Sequence, residues 1–226
     1  EFAMTVEIVN PWTGQVAYRY DYQDAAVTER ALALSATAFP TWSSLSLDAR
    51  GAYLHKVAAS FRQNSERIAA IMSAEMGKLK REALAEIEKS AAAFDYYADH
   101  AIDYLRDQGI ATEATRSYVT YEPLGCVFAV MPWNFPFWQV FRFAAPALMA
   151  GNGAVLKHAS NVPGCALAIE GVFREAGFPD NLFRTALIPS RDVQALIEDP
   201  AIAAVTLTGS VEAGRQVASA AGAVLK

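Results

Sequence analysis

From Gly125 onward the chain alternates short apolar runs with amphipathic stretches, and this alternation restricts the fold more than any other feature. Candidate strands at Gly125 to Met131, Ala154 to His158, Phe183 to Ile188 and Ala203 to Leu207 are separated by candidate helices. The helical stretches are Gln139 to Met149, Gly164 to Ala176, Arg191 to Ile197 and Val211 to Ala221. Strands that return through a helix run parallel, with right-handed crossovers and helices on both faces of the sheet. Such sheets take ligands at the carboxyl ends of their strands. There the first strand runs into Met131-Pro132-Trp133-Asn134-Phe135-Pro136, where two prolines bracket an asparagine and make the turn rigid.

The first half reads differently. Val6 to Val9 and Gln15 to Tyr20 flank the turn Asn10-Pro11-Trp12-Thr13-Gly14 and suggest a short hairpin. Helical periodicity then dominates at Ala25 to Phe39, Ser46 to Asn64, Ser65 to Gly77 and Lys80 to Leu105, with Pro40 and Gly77 as stops. Ile110 to Tyr121 is polar, alternating and threonine-rich, an extended arm that leaves the helical layer and returns by Pro123. Glu1-Phe2-Ala3 ahead of Met4 reads as a cloning remnant.

Composition narrows the partners. With 226 residues, 53% of them hydrophobic, the chain can bury a sizeable core. A net charge of −5 without a dense basic block disfavours nucleic acid and anionic membranes and favours a small molecule. Gly151, Asn152 and Lys157 interrupt the longest apolar candidate for a membrane span, so no membrane crossing is expected. Two cysteines without metal-type spacing, and no leader-like run, fit a reducing cytoplasm. His55, His100 and His158 are too scattered for a metal site. Glu82, Glu86 and Glu88, close to Lys80, Arg81 and Lys89, read as a solvated helix face.

Pro132-Trp133-Asn134-Phe135-Pro136 resembles the turn that lies between cofactor and reacting carbonyl in the aldehyde dehydrogenase superfamily. The resemblance extends from Asn10-Pro11-Trp12-Thr13-Gly14 to Thr208-Gly209-Ser210. It implies an α/β, Rossmann-like parallel sheet, preceded by an α-rich segment and an extended oligomerisation arm. The implied organisation is residues 4–108 as hairpin and helices of the cofactor-binding domain, 109–123 as the arm, and 124–226 as the NAD(P)-binding portion. A homodimer or homotetramer follows from the arm. The usual Gly-x-Gly-x-x-Gly is missing after the first strand, and the resemblance accounts for this, since these enzymes seat the phosphates on a different turn.

That turn is Thr208-Gly209-Ser210, where Gly209 permits close backbone approach and Ser210 is either a plain helix cap or part of a pyrophosphate seat. Met131, Pro132 and Trp133 are implied cofactor contacts. Lys157 is either a solvated strand-end cation or the family lysine that reaches the adenosine ribose. Three residues on, NAD-using relatives carry Glu, which repels a 2′-phosphate; Ser160 removes that repulsion, so NADP is expected to be preferred, with NAD possible. The family's Gly after the third strand is replaced by Ile188-Pro189-Ser190, and that contact does not transfer.

Asn134 corresponds to the oxyanion donor. Arg142, two helical turns later among Phe141, Phe143 and Ala144, is expected to be in apolar surroundings and to need a partner: an internal carboxylate, or the distal carboxylate of a substrate. Arginine at this place resembles the succinate semialdehyde branch, and Trp138 either walls the methylene chain or belongs to the core. The family's base Glu, in Glu-Leu-Gly-Gly, and its nucleophilic Cys fall past the position of Lys226 in relatives. The chain is therefore expected to be the amino-terminal half of such an enzyme and not to turn over alone. Cys126 reads as inert core, and Cys165, although it starts a helix whose dipole can lower a thiol pKa, is not assigned as the nucleophile. The alternatives are an enzyme for uncharged aliphatic or betaine-type aldehydes, or a non-catalytic nucleotide-binding module.

Overall fold

The computed structural model describes residues 5–226; Glu1-Phe2-Ala3, read above as a cloning remnant, and Met4 lie outside the described residues. Strands β1 (Thr5–Val9) and β2 (Val16–Asp21) form an antiparallel hairpin. Four helices follow: α1 (Ala25–Ser43), α2 (Leu47–Gln63), α3 (Ser65–Met76) and α4 (Lys80–Leu105). Asp24 and Ser46 cap α1 and α2 by accepting the N–H groups of Val27 and Ala49. Gly77 ends α3 in the left-handed region at φ 71°, where a side chain would be strained and its Cβ would come within 2.9 Å of Pro11.

Pro40 does not end α1, which continues to Ser43. A proline removes one amide donor but keeps its carbonyl, and the Pro40 carbonyl accepts from Ser44 N–H at 3.2 Å. Fully buried Trp42, whose indole N–H donates to Leu148 O, holds this last turn against the core.

The arm is a minimal hairpin. Only Gln108 and Gly109 (β3) pair with Val119 and Tyr118 (β4), and the loop between them is almost entirely exposed.

The second half is the expected parallel sheet, in the order β7-β6-β5-β8. Its strands are β5 (Cys126–Met131), β6 (Gly153–His158), β7 (Phe183–Thr185) and β8 (Ile202–Leu207). Helices α5 (Trp138–Met149), α6 (Pro163–Glu175), α7 (Val193–Glu198) and α8 (Val211–Ala223) connect or follow them. Strand β7 stops three residues short of the expected Ile188. After Ala186 its backbone leaves β6 and pairs with Gln23 instead, Gln23 N–H donating to Leu187 O and Leu187 N–H to Gln23 Oε1.

Side chains alternate across the strands, so each face has its own core. Ala129, Met131 and Leu156 face the larger cluster under α2 to α6, where Phe61, Phe94, Phe137, Phe141 and Phe173 pack ring against ring. Phe128 and Val155 face the smaller cluster made with Leu196, Ile197 and Ala221 from α7 and α8.

Candidate active site

The same alternation separates two neighbouring residues into different jobs. Lys157 lies in register with Val130, which also pairs with Leu207, so Lys157 faces the α7 and α8 side. His158 lies beside Met131 and faces the opposite way. Its Nδ1 accepts the Ala159 N–H at 2.9 Å, which leaves the proton on Nε2 to donate to Pro136 O at 2.8 Å. Burial lowers its pKa to about 4, against the partial opposition of the bond to Pro136, so the ring is neutral.

Pro136 belongs to the turn after β5. Met131 is buried, Pro132 is half-buried, and Trp133, Asn134 and Phe135 are exposed. The Asn134 amide is turned outward. Its Oδ1 accepts the Phe135 N–H at 3.1 Å, and its Nδ2 has no hydrogen-bond acceptor among the described residues. The turn thus presents a free amide donor at the carboxyl end of the sheet.

On the α7 and α8 side of the sheet, Lys157 lines a cleft of about 310 Å³ with Val130, Ser190, Arg191, Gln194 and Gln216. Lys157 as a residue is 6% exposed, burial lowers its pKa, and its one side-chain hydrogen bond among the described residues, to Ser190 Oγ, is long at 3.3 Å. A buried cation with unused donors fits a ligand that brings ribose hydroxyls or phosphate oxygens. Ser190 and Arg191 are cleft residues the sequence did not give. Ser190 occupies the place where the family glycine is missing, and only folding brings it to Lys157. At the end of β8, Gly209 and Ser210 are exposed, and the Ser210 hydroxyl caps α8 by accepting Ala213 N–H at 3.2 Å. Ala213 and Gln216, one and two turns into α8, line the cleft.

Several expectations change. Arg142 is exposed rather than enclosed by apolar groups, and it makes no ion pair among the described residues. Its neighbours Phe141, Ala144 and Ala145 are buried because they occupy the other side of α5. Ser160 is exposed and lines a narrow cavity with Tyr20, Asp21, Tyr22 and Ile188, adjacent to the Lys157 cleft rather than within it. Trp138 is half-buried, with Lys89 Nζ 4.0 Å above its ring. Cys126 is core, its thiol pushed up to about 12 by burial. Cys165 is also buried, and burial first, then the adjacent Glu75 carboxylate, raises its pKa well above the ordinary value; Glu75 also accepts the Gly164 and Cys165 N–H groups and so fills the helix terminus.

The largest revision is Glu86. Glu88 pairs with Arg62 and Glu82 with Arg81 on the surface, as a solvated face requires, but Glu86 is 4% exposed. Its Oε1 accepts the Phe137 and Trp138 N–H groups, both at 2.9 Å, and its Oε2 pairs with Lys78. Periodicity puts Glu86 on α4 but does not reveal that α5, lacking a cap of its own, starts against that side.

A turn with an unengaged amide and a cleft with an under-satisfied lysine both lie at the carboxyl end of a parallel α/β sheet, where such sheets take ligands. The aldehyde dehydrogenase family model matches residues 2–226, and the chain belongs to that family. It is 47% identical over 223 residues to a Synechocystis sp. protein named "Probable succinate-semialdehyde dehydrogenase, NADP(+)", covering 99% of this chain and 49% of that one. It is 41% identical to the Escherichia coli succinate semialdehyde dehydrogenase Sad, named for NAD(P)+, covering 96% of this chain and 47% of Sad. Succinic semialdehyde dehydrogenase from Streptococcus pyogenes, solved with NADP+, superposes with a TM-score of 0.94 at 34% identity. That match covers 98% of this chain and 49% of the solved one. The chain spans about half the length of the curated relatives it matches.

Proposed function

We propose that this chain supplies the cofactor-binding half and the oxyanion donor of an NADP-preferring dehydrogenase that oxidises succinate semialdehyde to succinate. The observation that carries the reading is the buried Lys157 ammonium, in a cleft with Ser190, one strand away from the outward-facing amide of Asn134. Lys157, Ser190 and the exposed Gly209-Ser210 backbone would hold the dinucleotide, with Met131, Pro132 and Trp133 along its length. A dinucleotide held by these residues would supply the hydride acceptor. Ser160, without a carboxylate, brings no like charge to a 2′-phosphate reaching from the Lys157 cleft into the adjacent cavity.

In the reaction a cysteine thiolate outside this chain adds to the aldehyde carbonyl, and the negative charge that gathers on oxygen is met by Asn134 Nδ2. Loss of hydride from the resulting thiohemiacetal gives a thioester, which water cleaves to the acid. Arg142, exposed and unpaired on the helix that follows the turn, is available to a substrate carboxylate. The hairpin of the arm carries exposed Ile110, Tyr118, Val119 and Tyr121, which suit assembly into a homodimer or homotetramer. A reducing cytoplasm suits the thiol chemistry. Among the described residues no helix is long and apolar enough to cross a membrane.

The test compares kcat/KM for succinate semialdehyde and propanal in the full-length protein and its Arg142→Ala variant, with NADP and with NAD. A loss confined to succinate semialdehyde supports the reading. An equal loss for propanal overturns the substrate assignment, and a clear NAD preference overturns the cofactor assignment.

A further inference from the structure

Asn134 is exposed, and its side chain makes one hydrogen bond among the described residues, from its neighbour Phe135, so the backbone that carries it must fix the direction in which it points. The backbone around it is tied at four places by side chains from distant segments. Lys78 Nζ donates to the Asn134 carbonyl at 3.2 Å and lies 4.0 Å over the Phe135 ring. His158 holds the Pro136 carbonyl. Glu86 accepts the next two amide N–H groups, those of Phe137 and Trp138.

Lys78 and Glu86 form one unit. Their side chains are 10% and 2% exposed, and they pair directly with each other. A buried ion pair is weak evidence for stability, because desolvation offsets most of the attraction, and a pair retained at such a cost calls for another use. The pair is also anchored from behind. Ser73 Oγ donates to the Lys78 carbonyl at 2.7 Å, directly after the Gly77 cap that sets the exit of α3. A rigid path therefore runs from α3 and α4, through two opposite charges, to the carbonyl of Asn134 on one side and the start of α5 on the other.

We infer that Lys78 and Glu86 are positioning residues that aim the Asn134 amide at the developing oxyanion, resting on the function proposed above. Neither touches substrate or cofactor. They act by denying the turn a small rotation, and misplacement of a donor by about 1 Å is enough to cost on the order of 100-fold in rate. Because an oxyanion exists in the transition state and not in the bound aldehyde, the loss belongs in kcat and not in KM.

The experiment is a double-mutant cycle in the full-length protein between Lys78→Met and Asn134→Ala. It reads kcat and KM for aldehyde oxidation, together with NADP affinity by titration of intrinsic fluorescence without substrate. Asn134→Ala alone is expected to lower kcat by about 100- to 1000-fold. Lys78→Met alone is expected to lower kcat by about 10- to 100-fold, with KM and NADP affinity within about twofold. In the Asn134→Ala background the same change is expected to cost under about twofold, since no amide is left to aim. Lys78→Arg, which keeps the charge and the reach to both partners, is expected to restore most of kcat.

Because Lys78→Met leaves Glu86 a lone buried carboxylate, the neutral pair Lys78→Met with Glu86→Gln repeats the cycle without that charge. Full multiplication of the Lys78 and Asn134 losses, or NADP affinity falling in step with kcat, overturns the inference and leaves the proposed function standing. An Asn134→Ala protein with unchanged kcat overturns the proposed function and this inference with it.

Discussion

Protonation of His158 is expected to destabilise the fold at mildly acidic pH. The ring is buried, its Nδ1 accepts from Ala159 and its Nε2–H donates to Pro136, so a second proton breaks the Ala159 bond and places a charge out of water, which the Pro136 and Met131 backbone offsets only in part. In the unfolded chain a histidine titrates near about 6.5. In the fold the value is about 4, chiefly through burial. Between these values the unfolded state binds more protons, so stability is complete above about pH 6.5 and is lost as pH falls. At about 1.4 kcal/mol per unit, the full loss approaches about 3 kcal/mol near pH 4, with about 2 kcal/mol gone by pH 5. Other groups add slopes of their own: Glu75, whose pKa burial raises, and His55, raised by its bonds to Asp95 and Asp99, both bind protons more readily in the fold and so favour it as pH falls. Subtracting a His158→Gln variant removes those contributions. Urea unfolding at pH 5 and pH 7.5 should give the wild type an excess loss of about 2 kcal/mol over the variant. Equal slopes in the two proteins, or a His158 ring that titrates near 6.5 by NMR, would refute the account.

Phe141 stacks on Phe61 at 4.4 Å and meets Phe94 at 4.8 Å, so Phe141→Ala is expected to cost about 3–5 kcal/mol in urea unfolding; a cost under about 1 kcal/mol would mean that the ring cluster is not the centre of the core. Lys157→Met removes a buried ammonium with one weak bond, so resistance to urea without cofactor should hold or rise while the NADP dissociation constant increases by at least about tenfold. Loss of stability with unchanged affinity would contradict that placement. Ser160→Glu introduces a carboxylate into the cavity adjacent to the Lys157 cleft and is expected to lower affinity for NADP by about 10-fold while sparing NAD, as read by titration with each cofactor. Equal effects on the two cofactors would place Ser160 away from the 2′ position.

Periodicity and punctuation carried the element order because they are local. Apolar runs bounded by Gly and Pro gave β5, β6 and β8 to within a residue or so, and the alternation of strand with helix imposed the parallel sheet. Pro132 to Pro136 announced a turn, and it is one. Pro40 and β7 misled for an equally physical reason. A proline's carbonyl still accepts where the following helix is packed, and a strand lasts only as long as its neighbour offers partners, which β6 ceases to do after Leu156.

What the sequence settled by itself was the order of helices, strands and turns, and that Lys157 and His158 lie on opposite faces of β6 once the strand is drawn. Which groups meet across the fold was decided by tertiary structure alone. Glu86 lies 51 residues from Phe137 and 8 from Lys78, and Lys157 lies 33 from Ser190. A charged residue on a helix has the same local pattern whether it faces water or a buried backbone amide. Only the packing of α5 against α4 turned Glu86 from a solvent residue into a fixed acceptor, and left Arg142, expected in the core, facing out.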